Sequence, residues 1–215
     1  MFKRLNDSKL NVVYGTVGSG KTMVISLLLN ELLIQKCNKN IILISENRNE
    51  QYRLKLYKVY EYLHRYKSLF RKNIKERLDF VSGEKTEKGM EYIEYLENIK
   101  FVNIFDINKK DISLMSNKFE YVFIDSIDLI VPDFNYYDEF LKDIKSKLFI
   151  TKQVRTPSIN NPESIYSLPL ELLNRASMVF ETKVENKNLN MVCHKNRFTG
   201  SSLDRFVLPL SNVLY

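Results

Sequence analysis

Eight consecutive residues, GTVGSGKT from Gly15 to Thr22, set glycines, a lysine and a hydroxyl in the order G-x-x-x-x-G-K-[ST]. Residue types at this spacing bind a phosphate chain. Gly15, Gly18 and Gly20 let the backbone approach an anion, and Thr16, Val17 and Ser19 supply further backbone amides. Lys21 can reach β- and γ-phosphates, and the Thr22 hydroxyl can hold Mg²⁺. The alternative, a fortuitous glycine turn, has the flanks against it. Before the loop runs LNVVY, an apolar, β-branched run that reads as a buried strand; after it Val24, Leu27, Leu28 and Leu32 repeat at helical spacing. A strand, a glycine loop and a helix whose positive end faces the anion form one phosphate cradle.

Mg²⁺ on such a loop needs an acidic residue at the end of an apolar strand. EYVFIDS supplies it: Tyr121 to Ile124 are apolar, and Asp125 emerges at the carboxyl end, where ligands sit in open α/β sheets. Asp128, close behind, is either a second acid or the cap of a turn. Hydrolysis also requires a group that polarises water, and Glu46, presented after the apolar run IILIS, has that chemistry. The same carboxylate could instead cap the helix that follows, through its dipole. A third apolar run, LFITKQ, ends on Gln153, whose amide either senses a γ-phosphate by hydrogen bonding or is a plain polar strand end.

Strands that end side by side must position these residues. The patterning predicts strands at Leu10 to Tyr14, Ile41 to Ser45, Leu78 to Val81, Phe101 to Phe105, Tyr121 to Asp125, Leu148 to Lys152, Met178 to Thr182, Met191 to His194 and Phe206 to Pro209. Helices are predicted at Thr22 to Gln35, Asn49 to Lys75 with a break, Glu87 to Asn98, Lys110 to Met115, Tyr136 to Ser146 and Pro169 to Asn174. This alternation predicts an α/β fold over 1–215 as a single domain, with a mostly parallel sheet flanked by helices and an antiparallel C-terminal ribbon. RTPSINNPES, from Arg155 to Ser164, reads as a functional surface loop.

With 215 residues, 44% hydrophobic and 27% charged, the chain has the composition of a globular domain able to bury a core. No apolar run approaches the ~20 residues of a membrane span, and MFKRLNDSKL lacks a secretory h-region. A cytoplasmic location follows as the expectation, in the host cytoplasm if the source is viral. Alanine occurs once, at Ala176, while Lys, Asn, Ile and Tyr abound, which points to AT-rich coding of the kind a phage can carry. Cys37 and Cys193 have no metal or disulfide spacing, and Cys193 and His194, facing opposite ways on a strand, read as packing and surface residues. The net charge of +7 is concentrated: Arg48 to Arg77 holds ten Lys/Arg against three Glu. Tyr52, Tyr57, Tyr60, Tyr62 and Tyr66 interleave with them. This mixture could follow and stack single-stranded DNA, or it could be an amphipathic helix with its tyrosines packed beneath the lysines.

Taken in order, the phosphate loop, a strand ending in Glu46, a strand ending in Asp125, a strand ending TKQVR and a terminal ribbon with HKNRFTGSS resemble the RecA-like ATPase core of DnaB-type hexameric replicative helicases. FIDSIDLI also resembles the corresponding strand of RecA-type recombinases, and KNRFTG is the more discriminating motif. The resemblance extends from Leu10 to Leu210. It implies ATP and Mg²⁺ as cofactors, with Lys21 and Thr22 serving phosphate and metal, Asp125 the metal, Glu46 the catalytic water and Gln153 γ-phosphate sensing. It further implies a homo-oligomer in which Lys195 and Arg197 reach the ATP of a neighbouring subunit; an arginine so placed is worth ~10³ or more in rate. The family carries an N-terminal domain, a linker helix and a strand pair ahead of the loop, where this sequence has fourteen residues, so the expectation is a bare motor core. Glu46 stands one residue closer to its strand than in the family pattern. The stretches Val131 to Tyr137 and Val154 to Ser167 hold one basic residue, Arg155, which shifts the expected DNA contact toward Arg48 to Arg77. The implied function is an ATP-hydrolysing, helicase-type motor in DNA replication or recombination; the alternatives are a nucleotide-switched binding module, such as a helicase loader, and a virion-assembly ATPase.

Overall fold

The first strand, β1 (Leu10–Gly15), is buried at every residue. A strand apolar on both faces belongs inside a sheet that is covered on both sides. The computed structural model, which describes residues 7–34, 40–65, 96, 99–133, 136–154, 168–197 and 204–210, shows such a sheet. Its other strands are β2 (Ile41–Ser45), β3 (Ile99–Asn103), β4 (Tyr121–Ile124), β5 (Lys147–Gln153), β6 (Met178–Glu185), β7 (Asn188–Asn196) and β8 (Asp204–Pro209), in the order β3-β2-β4-β5-β1-β6-β7-β8. All pairings from β3 to β6 are parallel, whereas β6–β7 and β7–β8 are antiparallel.

The period-two alternation of the strands sorts their side chains between two cores. Val13, Leu43, Phe123 and Phe149 pack with α1 (Lys21–Ile34) and α2 (Asn49–Arg65) on one face. Val12, Ile44, Ile124 and Ile150 pack on the other with residues of α3 (Lys109–Ser116), α4 (Tyr137–Lys142) and α5 (Leu170–Arg175). Right-handed crossovers demand this division, because the chain moves one way across the sheet from β1 to β3 and returns from β3 to β6.

The differences from the sequence expectations have local causes. The strand expected at Phe101 to Phe105 ends at Asn103, whose side chain accepts the Phe105 amide and starts a 3₁₀ turn over Ile104–Asp106. β6 and β7 run longer than expected because their turn is only Asn186 and Lys187, both in the left-handed region at φ 50° and 59°. Two positive φ values suit the twist of a hairpin. The strand at Leu78 to Val81, nearly all of the helix at Glu87 to Asn98, the loop at Arg155 to Ser164 and Cys37 lie outside the described residues.

Candidate nucleotide site

β1, β5, β4 and β2 stand side by side and all point their carboxyl ends the same way, so Gly15, Gln153, Asp125 and Glu46 emerge along one edge. The register fixes two neighbours directly: Gly15 lies opposite Gln153, and the Asp125 amide donates to the Ile44 carbonyl at 2.8 Å. β5 therefore inserts the expected phosphate sensor between the glycine loop and the acidic strand end.

The loop is a tight bend. Gly18 and Gly20 have φ of +72° and +88°, values that L side chains rarely adopt. A methyl group on Gly15 would collide with Ser19 Oγ and stand 2.6 Å from the Thr182 carbonyl oxygen, so only glycine fits where β1 turns away from β6. Ser19 and Thr182 share a hydrogen bond of 2.9 Å, and Thr182 Oγ1 donates to the Tyr14 carbonyl at 3.2 Å, tying the loop to β6. The Lys21 ammonium donates to the Gly15 and Thr16 carbonyls at 3.1 and 2.6 Å. Burial lowers its pKa, against the opposing pull of Asp125.

Asp125 is 2% exposed, and both of its oxygens accept from hydroxyls: Thr22 Oγ1 at 2.8 Å and Thr151 Oγ1 at 2.9 Å. No ammonium or guanidinium pairs with it among the described residues. Burial raises its carboxyl above the ordinary range; the Thr22 and Thr151 hydrogen bonds oppose the rise, and the nearby Glu46 charge adds to it. A buried carboxylate that lacks a cationic partner and touches the loop's last hydroxyl suits Mg²⁺, which is held by one or two carboxylates together with substrate phosphates. No group of three or more His, Cys, Asp or Glu side chains converges among the described residues, as befits a metal held largely by its nucleotide.

Thr151 is a site residue that the sequence reading passed over. Its hydroxyl also accepts the Ser126 amide at 2.7 Å, and Ser126 itself sits in the left-handed region at φ 77°. The readable signal was a hydroxyl two residues ahead of Gln153, hence on the same face of β5. Asp128 proves to be neither second acid nor simple cap. It accepts the Gln153 amide at 2.8 Å and pairs with the buried Lys152 ammonium, locking the end of β5 to the turn after β4.

Glu46 is exposed and makes no hydrogen bond to the described chain, so it does not cap α2 by one. Lys55 of α2 donates to Asn47 Oδ1 at 3.0 Å and bears electrostatically on Asp125, which turns one member of the basic segment toward this site. Arg53 lies over the Phe101 ring at 4.8 Å. Tyr52 and Tyr60 are buried in the core and Tyr57 is half-buried, so the described half of the segment packs its tyrosines beneath its charges and offers no base-stacking platform. Residues 66–77 lie outside the described residues.

Lys195 and Arg197 are not brought to this edge. Asn196 pairs with Met178 and the Arg197 amide donates to the Ser177 carbonyl, at the amino-terminal end of the parallel strands. Both side chains hold the C-terminal carbonyls of α5: Lys195 bonds to Leu173 and Arg197 to Asn174. Close by, Cys193 and His194 face opposite ways as expected: Cys193 is buried, while His194 bonds Glu181 at 2.6 Å on the other side.

No protein-family model matches the chain, and no curated protein matches it. Solved structures do. The ATPase domain of a DnaB helicase superposes with a TM-score of 0.58 at 10% identity, covering 94% of this chain and 81% of that one. The flagellar accessory protein FlaH from Methanocaldococcus jannaschii gives 0.55 at 13% identity, covering 93% and 84%. The RadB recombinase gives 0.56 at 14% identity, covering 92% and 85%. The fold of this chain is the RecA-like P-loop fold. No described helix is long and apolar enough to cross a membrane.

Proposed function

We propose that this chain binds and hydrolyses Mg-ATP as a RecA-like motor core. The observation that carries the reading is the 2.8 Å contact between Thr22 and a buried Asp125 that has no cationic partner, beside a glycine loop into which no larger residue fits. Thr22 and Asp125 would hold Mg²⁺, which when bound neutralises charge on the phosphate chain. Lys21 exchanges the carbonyls of Gly15 and Thr16 for β- and γ-phosphate oxygens. Glu46, uncommitted at its strand end, orients the attacking water and takes its proton as the water oxygen bonds to the γ-phosphorus and the bond to the ADP oxygen breaks. The Gln153 amide donates to the γ-phosphate, and its backbone tie to Asp128 carries that contact into the acidic turn. Lys195 and Arg197 sit at the far end of the sheet and would serve only the nucleotide of another subunit, so turnover depends on self-assembly.

The biological work proposed is a nucleic-acid transaction of the replication or recombination kind, as the resemblance to DnaB- and RecA-type ATPases suggests. Glu46→Gln is the test. It should retain Mg-ATP affinity while lowering the rate of phosphate release about a hundredfold or more, the scale of a lost general base. Unchanged release would remove Glu46 from the chemistry and favour a nucleotide-switched binding module.

A further inference from the structure

At the amino-terminal end of the parallel strands, opposite the glycine loop, lies a cavity of about 580 Å³. Lys9, Lys142, Lys145, Arg175 and Arg197 line it, and no carboxylate does. These five cations come from distant parts of the chain: the residue before β1, the end of α4 and the turn after it, the end of α5 and the residue after β7. Asp138, outside the lining, relieves two of them, reaching Arg175 at 2.6 Å and Lys142 at 3.8 Å. Lys9 and Lys145 have no carboxylate partner among the described residues, and Arg197 is spent on the Asn174 carbonyl. Leu10 and Leu148 contribute low-dielectric wall between the charges.

A fold that gathers like charges into one concavity incurs repulsion unless an anion returns it, and apolar walls focus the positive field inside. The volume falls in the range of small-ligand sites, about 300–1,000 Å³. β1 is six residues long and separates this cavity from the glycine loop; at ~3.3 Å per residue the separation is about 16 Å, too far for one nucleotide's phosphates to occupy both. We propose that the cavity is a second phosphate site, independent of the glycine loop, that takes consecutive phosphoryl groups with Lys9 and Lys145 as the principal contacts. The ligand is a free oligophosphate or the phosphodiester backbone of a single strand.

The test uses the full chain carrying Lys21→Ala, which removes the loop's own contribution, and two probes, inorganic tripolyphosphate and a short oligothymidylate. Binding is read by calorimetry and by fluorescence anisotropy over a salt series. Both lysines are then changed together, Lys9→Ala with Lys145→Ala, and the melting curve confirms the fold. The expected result is binding in the Lys21→Ala background that weakens about tenfold or more in the double variant, with the salt slope for oligothymidylate falling by about 1.4, as losing two single-strand phosphate contacts requires. A preference for tripolyphosphate identifies a free ligand and a preference for the oligomer a polynucleotide. Absence of binding by either probe, or binding that is indifferent to the double change and lost instead in Arg48→Ala with Lys58→Ala, would overturn the proposal. Because the loop is already disabled, neither outcome reflects on the Mg-ATP site.

Discussion

Gly15 and Gly18 belong to the same loop, yet the structure requires glycine at each for a different reason. A side chain on Gly18 meets nothing within 4 Å and suffers only from its φ of +72°, whereas one on Gly15 strikes the Thr182 backbone. Gly18→Ala should therefore cost about 1–2 kcal/mol, the left-handed penalty. Gly15→Ala should cost more, on the scale of overpacking a core, about 1–3 kcal/mol, with β1 and β6 forced apart. Urea unfolding ranks the two, and the reverse order would contradict this account of the loop. Asp125 gives a pH prediction. Its carboxyl is held above its ordinary value by burial, so its stabilising contribution is complete below the ordinary carboxylate range and is lost as pH rises through the elevated value. Asp125→Asn should then raise the melting temperature of the nucleotide-free protein at neutral pH, with the gap closing on acidification; a lower melting temperature at neutral pH would count against it. The loop and Asp125 were legible in the sequence because their chemistry is written in contiguous residues. Thr151 was not, since a hydroxyl inside an apolar strand acquires its meaning only when β5 is laid beside β4.

The end of β5 is the element on which the site turns. Its last three residues are all fastened to the turn after β4: Thr151 to Asp125 and Ser126, and Lys152 and Gln153 to Asp128. Breaking a buried ion pair from one side typically costs about 3–5 kcal/mol, because the remaining charge loses its compensation. Asp128→Ala, which takes the carboxylate from a Lys152 side chain only 6% exposed, should fall toward the lower end of that range in urea unfolding and slow turnover more than it weakens nucleotide binding. Equal loss of both would reduce Asp128 to a stability residue. Element positions followed from apolar runs, but their ends depended on details that patterning does not carry. Asn103 stops β3 with a side-chain bond, and Lys187 adopts a left-handed conformation that its residue type does not advertise.

Across the whole molecule, the parallel sheet keeps two kinds of positive charge at opposite ends. Lys21 works at the carboxyl edge, while Lys195 and Arg197 sit at the amino edge on the carbonyls of α5. If those two residues complete a neighbour's site, Lys21→Ala and Arg197→Ala proteins, each slow alone, should recover turnover when mixed, because the Arg197→Ala subunit keeps an intact loop and its partner an intact guanidinium. Mixtures no faster than their components would confine Arg197 to capping α5. The two-faced sheet and its C-terminal ribbon could be read from alternation along the chain. The basic cavity could not, because outside Arg48 to Arg77 the charges sum to zero along the sequence and are separated by sign only when the elements fold together. All of this depends on a triphosphate binding at the start of α1 opposite Asp125. Calorimetric titration of Mg-ATP into the unmodified chain and into Lys21→Ala tests that most directly: saturable heat at one nucleotide per chain that vanishes with the substitution is the predicted result, and no heat from the unmodified chain, or equal heat from both, would contradict it.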